Sequence, residues 1–410
     1  MLALLVLLGF TSVSLAAPAG SSDVPAKVDL LMPDVQPKLP DTYLCHKIKL
    51  DSTDTYITGF VPNADMNIAH HMLLYGCLEP GSDKNVWNCG EMAAPNPLFE
   101  SAPTCKSGPK IIYAWAMDAP SLVLPKDVAF KVGGHTDIKY IVLQVHYKNV
   151  TKFLNGGKDR SGITLQTTKK SLPRGAGVYL LGTMGSIPAH STVYMETACP
   201  FPGKNLVIHP FAYRTHAHTL GRVVSGYRIR DGKWAEVGRM DPRKPEMFYN
   251  ATTPHMTVKK GDILAARCTM ENGLDHDVAI GATQKDEMCN FYIMYWVEGD
   301  HILDKSYCFS PGPPTWYWAD FKGGDINLAA RPKDISTIPG TDKPLVATET
   351  EKFGEMAAED NAEQEEDVAL ESLLDQLGAD ELGSILGDME DRRPQRREED
   401  DEYYYGYDNN

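Results

Sequence analysis

Eight cysteines constrain this chain more than any other feature: Cys45, Cys77, Cys89, Cys105, Cys199, Cys268, Cys289 and Cys308. None falls between Cys105 and Cys199, so four precede a long gap and four follow it. That is the pattern of two domains, each closed by its own disulfides in an oxidising compartment. No two stand as C-x-x-C, which argues against a zinc ribbon or a thioredoxin-type site. Eight cysteines allow about a hundred pairings, so spacing alone leaves the connectivity open.

Residues 2–15 agree with that compartment. They form an apolar run closed by Ala16, Ala17, Pro18 and Ala19, too short to span a bilayer and suited to a signal peptide over residues 1–17. No later run approaches membrane-spanning length. Two N-x-S/T sequons, at Asn149 and Asn250, fit a secreted or lumenal chain. The net charge of −15 is unevenly held. Residues 331–410 carry 24 acidic and 8 basic side chains, and the rest of the chain carries 31 acidic and 32 basic. A neutral body with an acidic tail offers no basic stripe for a nucleic acid.

Between Leu39 and Tyr317, short runs rich in Val, Ile, Tyr and Thr alternate with Pro- and Gly-bearing turns, and no long stretch keeps a helical period. The expected fold class is therefore all-β, two consecutive antiparallel sandwiches. Residues 169–175, inside the cysteine gap, are the expected linker. This divides the chain into a signal peptide (1–17), an N-terminal arm (18–38), a first sandwich (39–172), a second sandwich (173–325) and a disordered acidic tail (326–410). Within the tail, Val368, Leu370, Leu373, Leu374 and Leu377 have helical spacing, which in such a context reads as a transient helix.

The histidines carry the chemistry. His216 and His218 form an H-x-H, which on a strand puts both imidazoles on one face at a spacing that suits one metal. His146 ends the strand-like segment that also holds Gln144. The adjacent pair His70 and His71 can share a metal only at a strand end or a bulge. No carboxylate base stands near these histidines as in H-E-x-x-H, which counts against a zinc hydrolase. Histidine with thioether sulfur favours copper, but sixteen methionines leave the sulfur ligand unassigned by spacing.

Taken together, four segments resemble the peptidylglycine α-hydroxylating monooxygenases, copper- and ascorbate-dependent enzymes. They are His70-His71-Met72-Leu73-Leu74-Tyr75-Gly76-Cys77, Leu143-Gln144-Val145-His146-Tyr147, Tyr213-Arg214-Thr215-His216-Ala217-His218, and Asp286-Glu287-Met288-Cys289-Asn290-Phe291-Tyr292. They occur in the family's order across residues 40–320. The resemblance implies two β-sandwich domains presenting two copper ions across a solvent-filled cleft. It implies His70, His71 and His146 as ligands of one copper, and His216, His218 and Met288 as ligands of the other, where O2 is used. It further implies the disulfides Cys45–Cys89, Cys77–Cys105, Cys199–Cys308 and Cys268–Cys289.

Strand alternation puts Arg214 on the face of His216 and His218, and Tyr292 and Asn290 on the face of Met288. The resemblance makes Arg214 the anchor of a peptide's terminal carboxylate, with Asn290 and Tyr292 assisting. Gln144 is a candidate link between substrate and the first copper, and His209 a candidate support behind the ligands. The implied reaction hydroxylates the Cα of a C-terminal glycine in glycine-extended peptides, with ascorbate as electron donor. The acidic tail does not resemble a lyase, so a separate peptidylhydroxyglycine lyase is expected downstream. The expected setting is a monomer without a membrane span, in the secretory granule lumen or secreted. Vertebrate members carry one more disulfide near the N-terminus. Lacking it, this chain is expected to have a looser N-terminal arm. Two rivals remain: a dopamine β-monooxygenase-type hydroxylase of a small amine, and a secreted copper-binding protein without turnover.

Overall fold

The computed structural model describes residues 25–90, 97–281, 283 and 285–348. The signal-peptide segment, the helical spacing around Leu373 and most of the acidic stretch lie outside the described residues. No helix among the described residues is long and apolar enough to cross a membrane.

The fold is all-β, two sandwiches in sequence. In the first, a five-stranded sheet runs Val86–Asn88, Thr42–Lys49, Tyr140–Tyr147, His71–Cys77, Lys110–Ala116 in spatial order. Its central strand, Tyr140–Tyr147, is buried from Ile141 onward, as a strand covered on both faces must be. The facing sheet holds Ala26–Leu31, Gly162–Thr168, Asp54–Asn63 and Val128–Gly133. That sheet does not stop at the domain boundary. Val128 and Ala129 pair in parallel with Arg174 and Gly175, so it continues into Arg174–Thr183, Asn290–Glu298 and His209–His216 of the second sandwich. Residues 169–173 join the two halves beside this seam. Lys131 reaches Asp300 across it at 2.8 Å, and Lys110 donates to the carbonyls of Leu303 and Asp304.

The cysteines pair as Cys45–Cys89, Cys77–Cys105, Cys199–Cys308 and Cys268–Cys289, and none crosses between the halves. The described part of the N-terminal arm, residues 25–38, is tied to the first sandwich. Ala26–Leu31 forms six consecutive ladder pairs with Gly162–Thr168, and Arg160 clasps Asp34 by two hydrogen bonds.

Residues 326–348, expected at the start of a disordered tail, are ordered against the second sandwich. That sandwich is closed by the sheet Ser191–Pro200, Ile263–Asn272, Gly221–Arg230, Lys233–Met240. Its strand Ile263–Asn272 is buried on both faces, because the chain after Thr315 folds back over its outer side. Trp318, Ile326 and Ile335 pack there on Tyr227, Ile229, Ile263 and Ala265. A buried ion pair fixes the strap. Arg267 meets Glu196 between the rings of Tyr194 and Trp318, and the Trp318 amide donates to the other Glu196 oxygen at 2.7 Å. Further on, the Tyr194 hydroxyl donates to the Leu345 carbonyl. The acidic composition beginning near Arg331 hides Ile335 from a composition-based reading.

Trp318 is 1% exposed, and its ring lies on Arg267. Trp318→Ala should destabilise the folded chain by about 3–5 kcal/mol, since a cavity and an uncovered ion pair are left together. Denaturant unfolding with the disulfides intact measures it.

Candidate metal centre

The first histidine set is made by one ladder register. His71 begins the strand His71–Cys77 and lies directly opposite His146 of Tyr140–Tyr147. His70 precedes the strand end, where its amide donates to the His146 carbonyl at 2.8 Å. The strand end lets two adjacent side chains turn the same way. The result is a cluster of three imidazoles whose ligand atoms lie within 4.8 Å of one another.

The Nδ1 atoms of His70, His71 and His146 are all buried and have no hydrogen-bond partner. Three orphaned ring nitrogens are costly unless something takes their lone pairs. Behind them, His146 Nε2 lies 3.0 Å from Asp41, which fixes the ring with Nδ1 unprotonated, and Tyr43 stacks on the same ring at 4.1 Å. This donor set fits a copper ion.

The second set hangs on another register. His209–His216 and Asn290–Glu298 are antiparallel neighbours, with Arg214 opposite Tyr292 and His216 opposite Asn290. His218 and Met288 lie just beyond the two strand ends, so ladder alternation does not orient them as the sequence pattern implied. Hydrogen bonds do. His218 Nδ1 donates to the Asp286 carbonyl at 2.8 Å, and His216 Nδ1 lies 2.8 Å from the Glu246 carboxylate. Both rings therefore present Nε2 as the free lone pair, with their centroids 5.3 Å apart. The Met288 sulfur is 3.8 Å from the Asn290 amide nitrogen. Two imidazoles and one thioether suit copper, especially its reduced form.

Glu287 sets this turn. It is fully buried, and its carboxylate accepts the backbone N–H groups of His218, Leu220 and Met288. Burial raises its pKa, opposed by those three donors. One side chain thus fixes the backbone on both sides of the second set.

Arg214 and Tyr292 are 3% and 5% exposed, with the guanidinium 5.2 Å from the ring centroid. Burial raises the Tyr292 pKa, opposed by the neighbouring Arg214 and Asn290 side chains. Arg214 also has an internal partner that sequence reasoning missed. Its Nη2 donates to Glu246, the same carboxylate oxygen that His216 approaches. Burial pushes the Glu246 pKa up, but His216 and Arg214 outweigh it and hold the group below the usual carboxylate range. Glu246 stands in a proline-bearing loop after Lys233–Met240, and no spacing pattern ties it to the histidines.

Two other candidates are employed elsewhere. Gln144 is buried, and its amide donates to Thr104 Oγ1 at 3.0 Å and to the Cys89 carbonyl at 3.2 Å, beside the Cys45–Cys89 disulfide. His209 stacks flat on Trp296 at 3.7 Å. Asn149 and Asn250 are both exposed. The space between the two sets is narrower than the solvent-filled cleft that the family resemblance implied. The rings of His71 and His216 lie 6.2 Å apart, and Tyr113 of the first half packs near Phe248 of the second.

Comparison with known proteins adds an independent observation. Residues 28–154 match the N-terminal domain of the copper type II ascorbate-dependent monooxygenases, and residues 174–321 match the C-terminal domain. Peptidyl-glycine alpha-amidating monooxygenase A of Xenopus laevis is 41% identical over 302 residues, 73% of this chain and 31% of its own length. The Mus musculus peptidyl-glycine alpha-amidating monooxygenase is 38% identical over 383 residues, 91% of this chain and 36% of its own. Dopamine beta-hydroxylase of Rattus norvegicus is 28% identical over 320 residues, 71% of this chain and 49% of its own. The chain spans about a third of the length of the amidating relatives it matches.

Removing the thioether should separate the two sets. Met288→Ala is expected to lower copper retained after dialysis from two ions per chain toward one, with the histidine-only set still loaded. Elemental analysis with X-ray absorption checks this, and retention of both ions would take Met288 out of the site.

Burial also holds His146 and His218 well below their usual pKa of 6.5, to about 4. In the metal-free chain the unfolded state then binds protons that the folded state refuses between those values. Stability is full above about pH 6.5 and falls as the pH drops toward 4. Denaturation midpoints of metal-free protein at about pH 7.5 and about pH 5 test the sign, and His146→Gln should flatten the difference.

Proposed function

Because the chain belongs to the copper type II ascorbate-dependent monooxygenases, we propose that it hydroxylates the Cα of the C-terminal glycine of glycine-extended peptides. The observation that carries this reading is a buried guanidinium, Arg214, two residues from His216 on the same strand and paired across the ladder with Tyr292. A cation in that place answers a peptide's terminal carboxylate, and a catecholamine has no use for it. The higher identity to amidating monooxygenases than to dopamine hydroxylases supports the same choice. A protein that only stores copper needs neither the guanidinium nor two different donor sets.

In this reading His70, His71 and His146 would hold one copper, their unpartnered Nδ1 atoms serving as donors, and His216, His218 and Met288 would hold the other. Copper, with electrons from ascorbate, supplies the redox chemistry that O2 needs for insertion into a C–H bond. One oxygen atom enters the glycine Cα–H bond, and the other leaves as water with two electrons and two protons. The protein's part is orientation. Arg214 takes the carboxylate, with the Tyr292 hydroxyl and the Asn290 amide beside it, which brings the adjacent Cα to the His216 side of the narrow space. The low exposure of Arg214 and Tyr292 excludes water from the guanidinium and strengthens its hold on an anion.

The hydroxyglycine peptide is, on this proposal, cleaved to the amide by a separate peptidylhydroxyglycine lyase. Four disulfides and two exposed sequons support work in the secretory granule lumen or outside the cell, and we infer that the chain acts there as a monomer.

Incubation of a glycine-extended peptide with the chain, copper, ascorbate and O2 should give a product heavier by one oxygen atom, placed at the glycine by fragmentation. Hydroxylation of a phenethylamine instead would move the reading to the dopamine type. Arg214→Lys keeps the charge and loses the planar fork, so catalytic efficiency should fall about 10- to 150-fold.

A further inference from the structure

The reaction just proposed has no need of Glu246, yet among the described residues this carboxylate is the one that contacts both Arg214 and His216. Its Oε2 accepts from Arg214 Nη2 and lies 2.8 Å from His216 Nδ1, while Arg214 Nε donates to the Glu246 carbonyl at 3.3 Å. Glu246 is 6% exposed, so little water screens it. A peptide carboxylate arriving at Arg214 therefore meets a guanidinium that is already paired, with a second anion at contact distance. Two carboxylates that share one buried cation oppose each other. Towards His216 the same oxygen has the opposite value, since it holds the ring with Nε2 facing the metal.

We propose that Glu246 is a resident counter-ion of the carboxylate anchor, a specificity-determining and positioning residue that loosens the grip of Arg214 on the peptide terminus while it orients His216 for copper. The inference rests on Arg214 being the peptide anchor. It places Glu246 as a stand-in for the substrate's own carboxylate, keeping the buried guanidinium paired while no peptide is present. It also limits how tightly peptide, and the hydroxylated product that keeps the same carboxylate, can be held.

The two roles predict opposite signs, which a purely structural role does not. Both contacts fall on one oxygen, so the amide oxygen of Glu246→Gln can take both while the charge is removed. In metal-free full-length chain, calorimetric titration with a glycine-extended peptide bearing a free carboxylate should show about tenfold tighter binding to E246Q than to wild type. The same peptide ending in a carboxamide should bind both proteins alike. Glu246→Asp keeps the charge, and the acid peptide should bind it more weakly than E246Q. Glu246→Ala frees the His216 ring and should weaken copper at the second set by about 10- to 100-fold, read as copper retained against a competing chelator, with the first set unaffected.

Weaker or unchanged binding of the acid peptide by E246Q overturns the proposal, as does equal tightening for acid and amide peptides. If neither wild type nor E246Q distinguishes the two peptides, Arg214 is not the anchor and the proposal falls with it. Absence of hydroxylation by wild type with these binding signs intact would instead remove the proposed reaction and leave Glu246 in its role.

Discussion

Two antiparallel registers hold the site together: His71 opposite His146 in the first sandwich, and Arg214 opposite Tyr292 with His216 opposite Asn290 in the second. Each places its imidazoles by backbone hydrogen bonds that are themselves buried, so ring positions follow from the ladder more than from surface loops. A slip of one residue in either pairing would send the ligand side chains to the opposite face. The core around each ladder is what forbids that slip. Val145, Leu143 and Ile141 are fully buried between His146 and the far strand end, and Phe291 and Ile293 do the same beside Tyr292.

Around these registers the protein buries carboxylates, and each has a partner set. Glu287 accepts three backbone amides, Glu246 meets Arg214 and His216, and Glu196 meets Arg267 and the Trp318 amide. A buried anion contributes specificity only when its lone pairs are answered in this way. Glu196 ties a strap to a sheet, Glu287 shapes a turn, and Glu246 alone touches groups that a substrate would also want.

Much of this was legible before any coordinates. The alternation of short apolar runs with turns marked an all-β chain, the cysteine gap separated the halves, and the histidines stood out by placement. What was hidden has a common cause. Glu246 is brought to Arg214 by a loop, and no periodicity encodes a loop's path. The partners of Gln144 come from Cys89 and Thr104, which only folding makes its neighbours. Strand arithmetic carried His218 and Met288 one step too far, because both sit past strand ends where hydrogen bonds to the Asp286 carbonyl and the Glu287 carboxylate take over. The strap was obscured because Ile326 and Ile335 show no strand or helix period, and their burial depends on a sheet face formed far earlier in the chain.

The shared sheet has a metric consequence. Val128 and Ala129 are zipped to Arg174 and Gly175, so the two halves are joined by a graduated edge whose divisions are single residues. Strands advance about 3.3 Å per residue, and pleating permits whole steps of two, roughly 7 Å. One such step exceeds the 6.2 Å that separates the rings of His71 and His216. The register of the seam therefore changes only in whole steps, each as large as the gap between the two donor sets. Lengthening or shortening residues 169–173 would act as a change of gauge, felt at the facing histidines although no ligand had been touched.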